Sequence, residues 1–347
     1  MSVEEILYRT YLENESSLQG LREKRLTDIF ERVCYIKASD LRVVNYLREV
    51  PLTAFNPGAV LIGDTIYIFP RLIFDYYTYN SSIGVFSLSM EELLNRGFNK
   101  PIETRILIYP DKLWEFGHGC EDARVGAIED EYYILYTGSK HYHENGKLKK
   151  LSVQAFARTE PPFREALKLG YLRIRGKDEL WTPDCKDSAI LKKKDNSLSF
   201  LLRLKVKNLL VCWRGELKAD DLVIPVDSLK PVFAPEEWEI KVGWSTNAVK
   251  LSEDRYIIGW HGVLREDLSY VNGIALLDGN GKLLGISDYL LAPKGLNEFY
   301  GDRNGVIFGD GLILRDGNLI WIGGVSDYCM GVFITPLERV MAHLREI

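Results

Sequence analysis

The sequence predicts an all-β fold: a five-bladed β-propeller over residues 34–335, preceded by a helical extension over 1–33 and followed by a short helix over 336–347. Three observations carry this. The 347 residues are 46% hydrophobic, enough for a large core and unlike a disordered chain. Between its ends the chain is a succession of short apolar runs broken by Gly, Asp, Asn and Lys, the pattern of strands and tight turns. Five of the resulting hairpins recur at a nearly constant interval.

In residues 3–33, Ile6, Leu7, Tyr11, Leu18, Leu21 and Ile29 follow roughly helical intervals, which makes the segment a packing or dimerisation element. The repeat begins after it. NPGAVLIGDTIYIFPR, EDARVGAIEDEYYILYTG, KDSAILKKKDNSLSFLLR, TNAVKLSEDRYIIGWHG and FGDGLILRDGNLIWIGG each join an apolar strand through an acidic turn to a strand rich in aromatic and aliphatic residues. The turn acids Asp64, Asp130, Asp195, Asp254 and Asp316 are 66, 65, 59 and 62 residues apart. A meander of this size cannot bury both faces of its sheet alone; radial packing around an axis buries them and leaves only short edges. A pair of β-sandwiches would reproduce only part of this rhythm. The tail PLERVMAHLREI starts with a proline suited to a helix start and places Leu337, Val340, Met341 and Leu344 on one face.

Composition narrows the function. A net charge of −5 argues against a nucleic-acid groove, which needs a basic face. No stretch approaches the ~20 apolar residues that cross a bilayer, and the first residues lack the apolar core of a secretory signal. Five cysteines, an odd number without CxxC spacing, give neither a zinc site nor a disulfide framework and fit a reducing compartment. The expectation is a cytoplasmic protein with no metal and with neither nucleic acid nor membrane as partner.

Eight residues before the turn acids stand Asn56, Asp122, Asp187, Thr246 and Phe308. If the blades superpose, these side chains share one depth on the strands facing the central funnel. A strand in a core would be apolar there, so polar groups at one level point to a polar ligand. The surrounding inventory is rich: Arg71 from the first unit, Glu121, Arg124 and Tyr136 from the second, Lys186 and Arg203 from the third, His261 from the fourth and Asp327 from the fifth. Aromatic rings with carboxylates and amides suit sugars, whose apolar faces stack and whose hydroxyls hydrogen-bond. Glycoside cleavage needs an acid for the leaving oxygen, and Asp122 is the candidate, between Glu121 and Arg124, which push its proton affinity in opposite directions. The competing reading of that trio is an ion-paired network bracing the blade.

Other signals are minor. His141 and His143 without a third ligand are weak evidence for metal. The tyrosine-rich run 75–82 would border the funnel, and Asp278–Gly279–Asn280–Gly281 suits a hairpin turn.

The run GCEDARV resembles the G-x-E-D-P-R-[IV] signature of glycoside hydrolase family 130, the mannoside phosphorylases and related mannosidases. FNPGAV with IFPR, CKDSAIL, YIIGWHGV, YVNGIALLD, NEFYGDRNGVIFGDG and WIGGVSDYCMGV follow in the family's order across about residues 55–335. The resemblance implies that Asp122 is the proton donor, that Asn56, Arg71 and Asp327 hold the mannose, and that Lys186, Arg203 and His261 bind inorganic phosphate. Glu121, Arg124 and Asp187 join the substrate-binding set. Related five-bladed glycosidases place an aspartate base in the first blade, where this chain has Asn56. Phosphate is already anionic and needs cations to position it rather than a base. Two departures stand out: Ala123 replaces the proline after the acid, and TNAVKLSED lacks the proline pair before WHG. Arg158 in FARTEPP is a further phosphate-ligand candidate.

The function expected is inverting phosphorolysis of β-mannosides to α-mannose 1-phosphate. Partners would be a disaccharide or oligosaccharide and inorganic phosphate as co-substrate, with no other cofactor and with the N-terminal helices as oligomer contact. The alternatives are an inverting β-mannosidase, with Glu298 or Asp302 as base, and a non-catalytic carbohydrate-binding propeller.

Overall fold

The computed structural model describes residues 1–77 and 79–347. The chain is an all-β propeller with few helices, and among the described residues its strands fall into five sheets. All five predicted turn acids sit in hairpin turns. Asp64 joins Thr53–Ile62 to Thr65–Ile73, and Asp130 joins Glu121–Ile128 to Glu131–Glu144. Asp195 joins Asp184–Lys194 to Ser197–Val206, Asp254 joins Val249–Ser252 to Arg255–Leu264, and Asp316 joins Ile307–Arg315 to Asn318–Val325. Asp195 and Asp316 take left-handed φ values of 43° and 48°, which aspartate tolerates better than most residues.

Large apolar side chains fill the spaces between neighbouring sheets. Phe156 of the second sheet packs on Phe200 of the third, Phe233 of the third on Trp244 and Trp260 of the fourth, and Trp321 fills the space between the fourth and the fifth. The opening strand of each repeat lies at one end of its sheet. Thr53–Ile62 touches both Ile307–Arg315 and Glu121–Ile128, and the latter touches Asp184–Lys194. These strands approach so closely that a Cβ on Gly58 would stand 2.3 Å from the Ala123 carbonyl oxygen.

Both chain ends depart from expectation. The helix covers only Val3–Leu18, held at its start by a capping box between Ser2 and Glu5. Its buried face, Val3, Leu7, Tyr11 and Leu18, joins the core cluster that holds Leu202, Leu204 and Ile224 of this chain's own third sheet. The segment is therefore a packing element of this chain's own core. Helical phase cannot continue past Gly20, because Leu21 packs with the fourth sheet and Ile29 in the cluster shared with the fifth. The chain runs extended between them, and Glu31–Lys37 pairs antiparallel with Cys329–Pro336. At the other end the helix is only Leu337–Met341; Leu344–Glu346 then pairs with Leu283–Ser287.

The extended strap is fastened by a buried charge. Arg22 donates to Glu239 at 2.6 Å and to the Ala234 carbonyl, beneath the Trp260 ring, while Glu236 accepts the backbone N–H groups of Gly20, Leu21 and Arg22. Removing one partner of such a pair leaves the other buried and uncompensated, at a cost of about 3–5 kcal/mol. Arg22→Ala should lower the urea midpoint accordingly; an unchanged midpoint would show that the strap is held otherwise.

Candidate active site

The opening strands carry a bulge at one level. Strand register shifts between Phe55 and Gly58, Glu121 and Arg124, and Lys186 and Ala189, and the first of the two residues inside each bulge is Asn56, Asp122 or Asp187. All three take left-handed φ values of 44°, 54° and 56°. A bulge turns its extra residue out of the ladder and re-aims the side chain, and Asn and Asp bear the left-handed backbone at the least cost. Here all three side chains line one cavity. The fourth unit has no such bulge: its strand breaks after Trp244, and Thr246 bonds back to the Gly259 N–H. In the fifth the shift falls between Gly309 and Gly311, so Asp310, not Phe308, is the bulged residue.

The cavity has an acidic side. Asn56 Nδ2 donates to Asp122 Oδ1 at 2.9 Å, and Arg71 donates to Asp122 Oδ1 at 3.2 Å and to Glu121 Oε1 at 3.0 Å. Arg71 is itself held by Ser81 Oγ and lies over the Phe55 ring. A Cβ on Gly324 would stand 1.9 Å from Asn56 Oδ1, so glycine there makes room for the amide. Asp327 completes this side; burial pushes its carboxyl up to about 6, against the pull of Arg71 and Arg303.

The opposite side is cationic. Lys186, Arg203, Lys241 and Arg303 line it with His261 and Tyr270. Arg203 reaches Asp187 at 3.0 Å, yet its Nε and Nη1 are buried without a partner. Leaving such donors unsatisfied costs about 1–3 kcal/mol each, unless a ligand completes them. Lys241 donates to the Tyr270 hydroxyl at 2.6 Å. Burial, with Arg203 and Lys186 close by, lowers its ammonium to about 6. His261 departs from expectation: burial drives it well below its usual value in spite of Asp187, so it is neutral at pH 7 and serves as a hydrogen-bonding group, not a cation. Its Nδ1 meets Ser245 Oγ at 3.0 Å and its Nε2 is unpartnered. Asp187 is held ionised: burial alone would raise it, but Arg203, Arg124 and Lys186 outweigh that.

Arg124 does not line the cavity. It lies buried beneath it, donating to the Ser245 carbonyl at 2.8 Å, the Asp122 carbonyl at 2.9 Å and Asp187 Oδ1 at 3.2 Å, and meeting Asp310 Oδ1 at 2.8 Å. The bracing role weighed for the Glu121–Asp122–Arg124 trio thus falls to Arg124 alone. Burial raises Asp310 well above the carboxylate range, only partly offset by Arg124.

Several expected residues lie elsewhere. Tyr136 is buried against Glu115. Glu298, a candidate base, is fully buried and bound by Arg32 and Tyr35, so it cannot reach a substrate. Arg158 is exposed and pairs with Glu131, away from the cavity. In the tyrosine-rich loop, Tyr79 lies over Arg71 and stacks on Tyr76; Thr78 lies outside the described residues. Lys241, Tyr270, Arg303 and Asp310 were not anticipated. The signal for Asp310 was an acid between two glycines inside an apolar strand; Lys241 and Arg303 stand outside the repeated hairpins and offered none.

Comparison with known proteins bears on the fold and the family. No curated protein matches the sequence. Among solved structures, β-1,2-mannobiose phosphorylase from Listeria innocua, in complex with β-1,2-mannobiose, superposes with a TM-score of 0.63 at 21% identity, covering 86% of this chain and 94% of that one. A structure described with glycoside hydrolases of the GH130 family that target β-1,2 mannosidic linkages in Candida mannan gives 0.67 at 17% identity, covering 91% and 97%. A glycosyl hydrolase from Bacteroides ovatus gives 0.64 at 18%, covering 83% and 85%. At these identities the likeness establishes the fold. The sequence itself matches the family profile described as beta-1,4-mannooligosaccharide phosphorylase over residues 21–346. The chain therefore belongs to glycoside hydrolase family 130, the carbohydrate-active glycoside phosphorylases and hydrolases.

Proposed function

We propose that the protein is an inverting phosphorylase of β-mannosides, its five sheets acting as five blades around one catalytic funnel. The observation that carries this is the cationic side of the cavity, where Lys186, Lys241 and Arg303 surround the unpartnered donors of Arg203. Such a site positions a nucleophile that is already anionic. Asn56 stands in the first-blade position where a hydrolytic base would be expected, and Glu298 is tied up elsewhere.

In this reading Asn56, Arg71 and Asp327 hold the mannose ring, and phosphate sits against Lys186, Arg203, Lys241 and Arg303 with His261 as a neutral donor. A phosphate oxygen attacks the anomeric carbon as the glycosidic C–O bond breaks. Asp122 gives its proton to the leaving oxygen, directly or through a sugar hydroxyl, and inversion yields α-mannose 1-phosphate. Arg71 and Asn56 orient the Asp122 carboxyl. The five cysteines are unpaired, which accords with a cytoplasmic enzyme.

Three outcomes follow. Cleavage of β-mannosides should require inorganic phosphate and transfer it to carbon 1, read as mannose 1-phosphate by phosphorus NMR; free mannose formed at equal rate without phosphate would identify a hydrolase. Asp122→Asn should lower kcat about 10²–10⁴-fold with an unchanged unfolding midpoint; near-normal turnover would remove Asp122 as the acid. Lys241 is charged below about pH 6 and neutral above, and Asp327 ionises over the same range, so both changes weaken anion binding as pH rises. Sulfate affinity, followed by competition, should fall from pH 5 to pH 7, and Lys241→Met should flatten that fall; an unchanged slope would exclude Lys241 from the anion site.

A further inference from the structure

A second groove adjoins the catalytic cavity, between the long hairpin Glu131–Glu144/Lys147–Thr159 and the third sheet. Lys140, Lys149, Lys150, Lys205 and Lys207 line it beside the Trp181 ring. It continues the cavity outward. On the strand Ser197–Val206, Arg203 lines the cavity and Lys205 the groove, and at a spacing of two they share a face. Their cross-strand partners repeat the relation: Lys186 opposite Arg203 lines the cavity, and Asp184 opposite Lys205 lines the groove. Lys150 lies within electrostatic reach of Glu121, Arg71 and Lys186.

The groove holds more positive charge than its acids neutralise. Glu144 pairs with Lys149, Asp184 lies 4.0 Å from Lys205, and the Glu4 carboxylate accepts the Lys207 backbone N–H. Lys140, Lys150 and Lys186 have no carboxylate partner among the described residues. In a chain of net charge −5 this surplus is local. Desolvation lowers the Lys150 ammonium and outweighs the pull of Glu121 and Asp184, while Lys186 and Arg71 repel it, so an anion bound between these cations would offset that repulsion.

We propose that this groove receives the leaving-group sugar, and that this sugar carries an anionic group, a carboxylate or a phosphate, held by Lys150. The proposal rests on the reading of the cavity as the cleavage site: Lys150 of the groove lies within electrostatic reach of Glu121, which neighbours the proposed proton donor Asp122, and the leaving group departs toward its acid. Trp181 offers the apolar face on which such a ring stacks.

Calorimetric binding of glucose, glucuronate and glucose 6-phosphate to the full chain, with inorganic phosphate saturating the cavity, tests it. At low ionic strength at least one of the two anionic sugars should bind about tenfold more tightly than glucose, and whichever wins identifies the group. High salt should erase the preference, because the screening length contracts from about 10 Å at 0.1 M to about 3 Å at 1 M. Lys150→Ala should reduce it to within twofold, whereas Lys140→Ala, whose side chain leaves the opposite face of the hairpin over the Tyr171 ring, should leave it unchanged. Equal affinity for glucose and both anions, or a preference that survives Lys150→Ala, overturns the proposal. Inorganic phosphate titrated alone is read separately: its failure to bind would refute phosphorolysis and leave the sugar preference to stand or fall by its own numbers.

Discussion

One buried guanidinium holds the functional centre together. Arg124 contacts the backbone of Asp122 in its own sheet, Asp187 of the third, the Ser245 carbonyl before the strand break of the fourth and Asp310 of the fifth. The Asn56 amide adds the first sheet through Asp122. A fork of donors with fixed geometry suits this task, and lysine could not reach four directions at once. Burying the charge is costly, and several bonds to carbonyls and carboxylates offset that cost. The arrangement also couples the two sides of the cavity, because the same side chain fixes the backbone of Asp122 and the Asp187 carboxylate that pairs with Arg203.

Charge is divided across the cavity in a way that matches this coupling. Glu121, Asp122 and Asp327 gather around Arg71, whereas Arg203, Lys186, Lys241 and Arg303 share little beyond Asp187. Lys241 near 6 and Asp327 near 6 are the marks of groups held in an unfavourable setting until a ligand arrives. Strain accompanies them: left-handed backbone at Asn56, Asp122, Asp187 and Asp327 costs free energy that the ladders on either side supply.

Much of this was legible in the sequence because the repeat is physical. The turn acids marked real hairpins, and counting back from them reached Asn56, Asp122 and Asp187, which the bulges do bring to one cavity. The count also reached Phe308, which lines the cavity although the fifth bulge holds Asp310, and it failed in the fourth unit, where a strand break puts Thr246 in a backbone bond. Arg124 was read as a ligand-binding group because a one-dimensional pattern gives polarity without direction. His261 was read as a cation because burial, which discharges it, is invisible until neighbours are known. The amino end was misread as one helix because Leu21 and Ile29 fall in helical phase while packing in separate places.

The account stands on an anion held at the cationic side while Asp122 faces the sugar. The most direct measurement is a crystal structure of the protein with inorganic phosphate and mannose. The account predicts phosphate density bonded to Arg203 Nε and Nη1, with Lys186 and Lys241 in contact and the mannose hydroxyls on Asn56, Arg71 and Asp327. Phosphate bound only outside the cavity, or a sugar oriented with Asp122 turned away from its glycosidic oxygen, would contradict it.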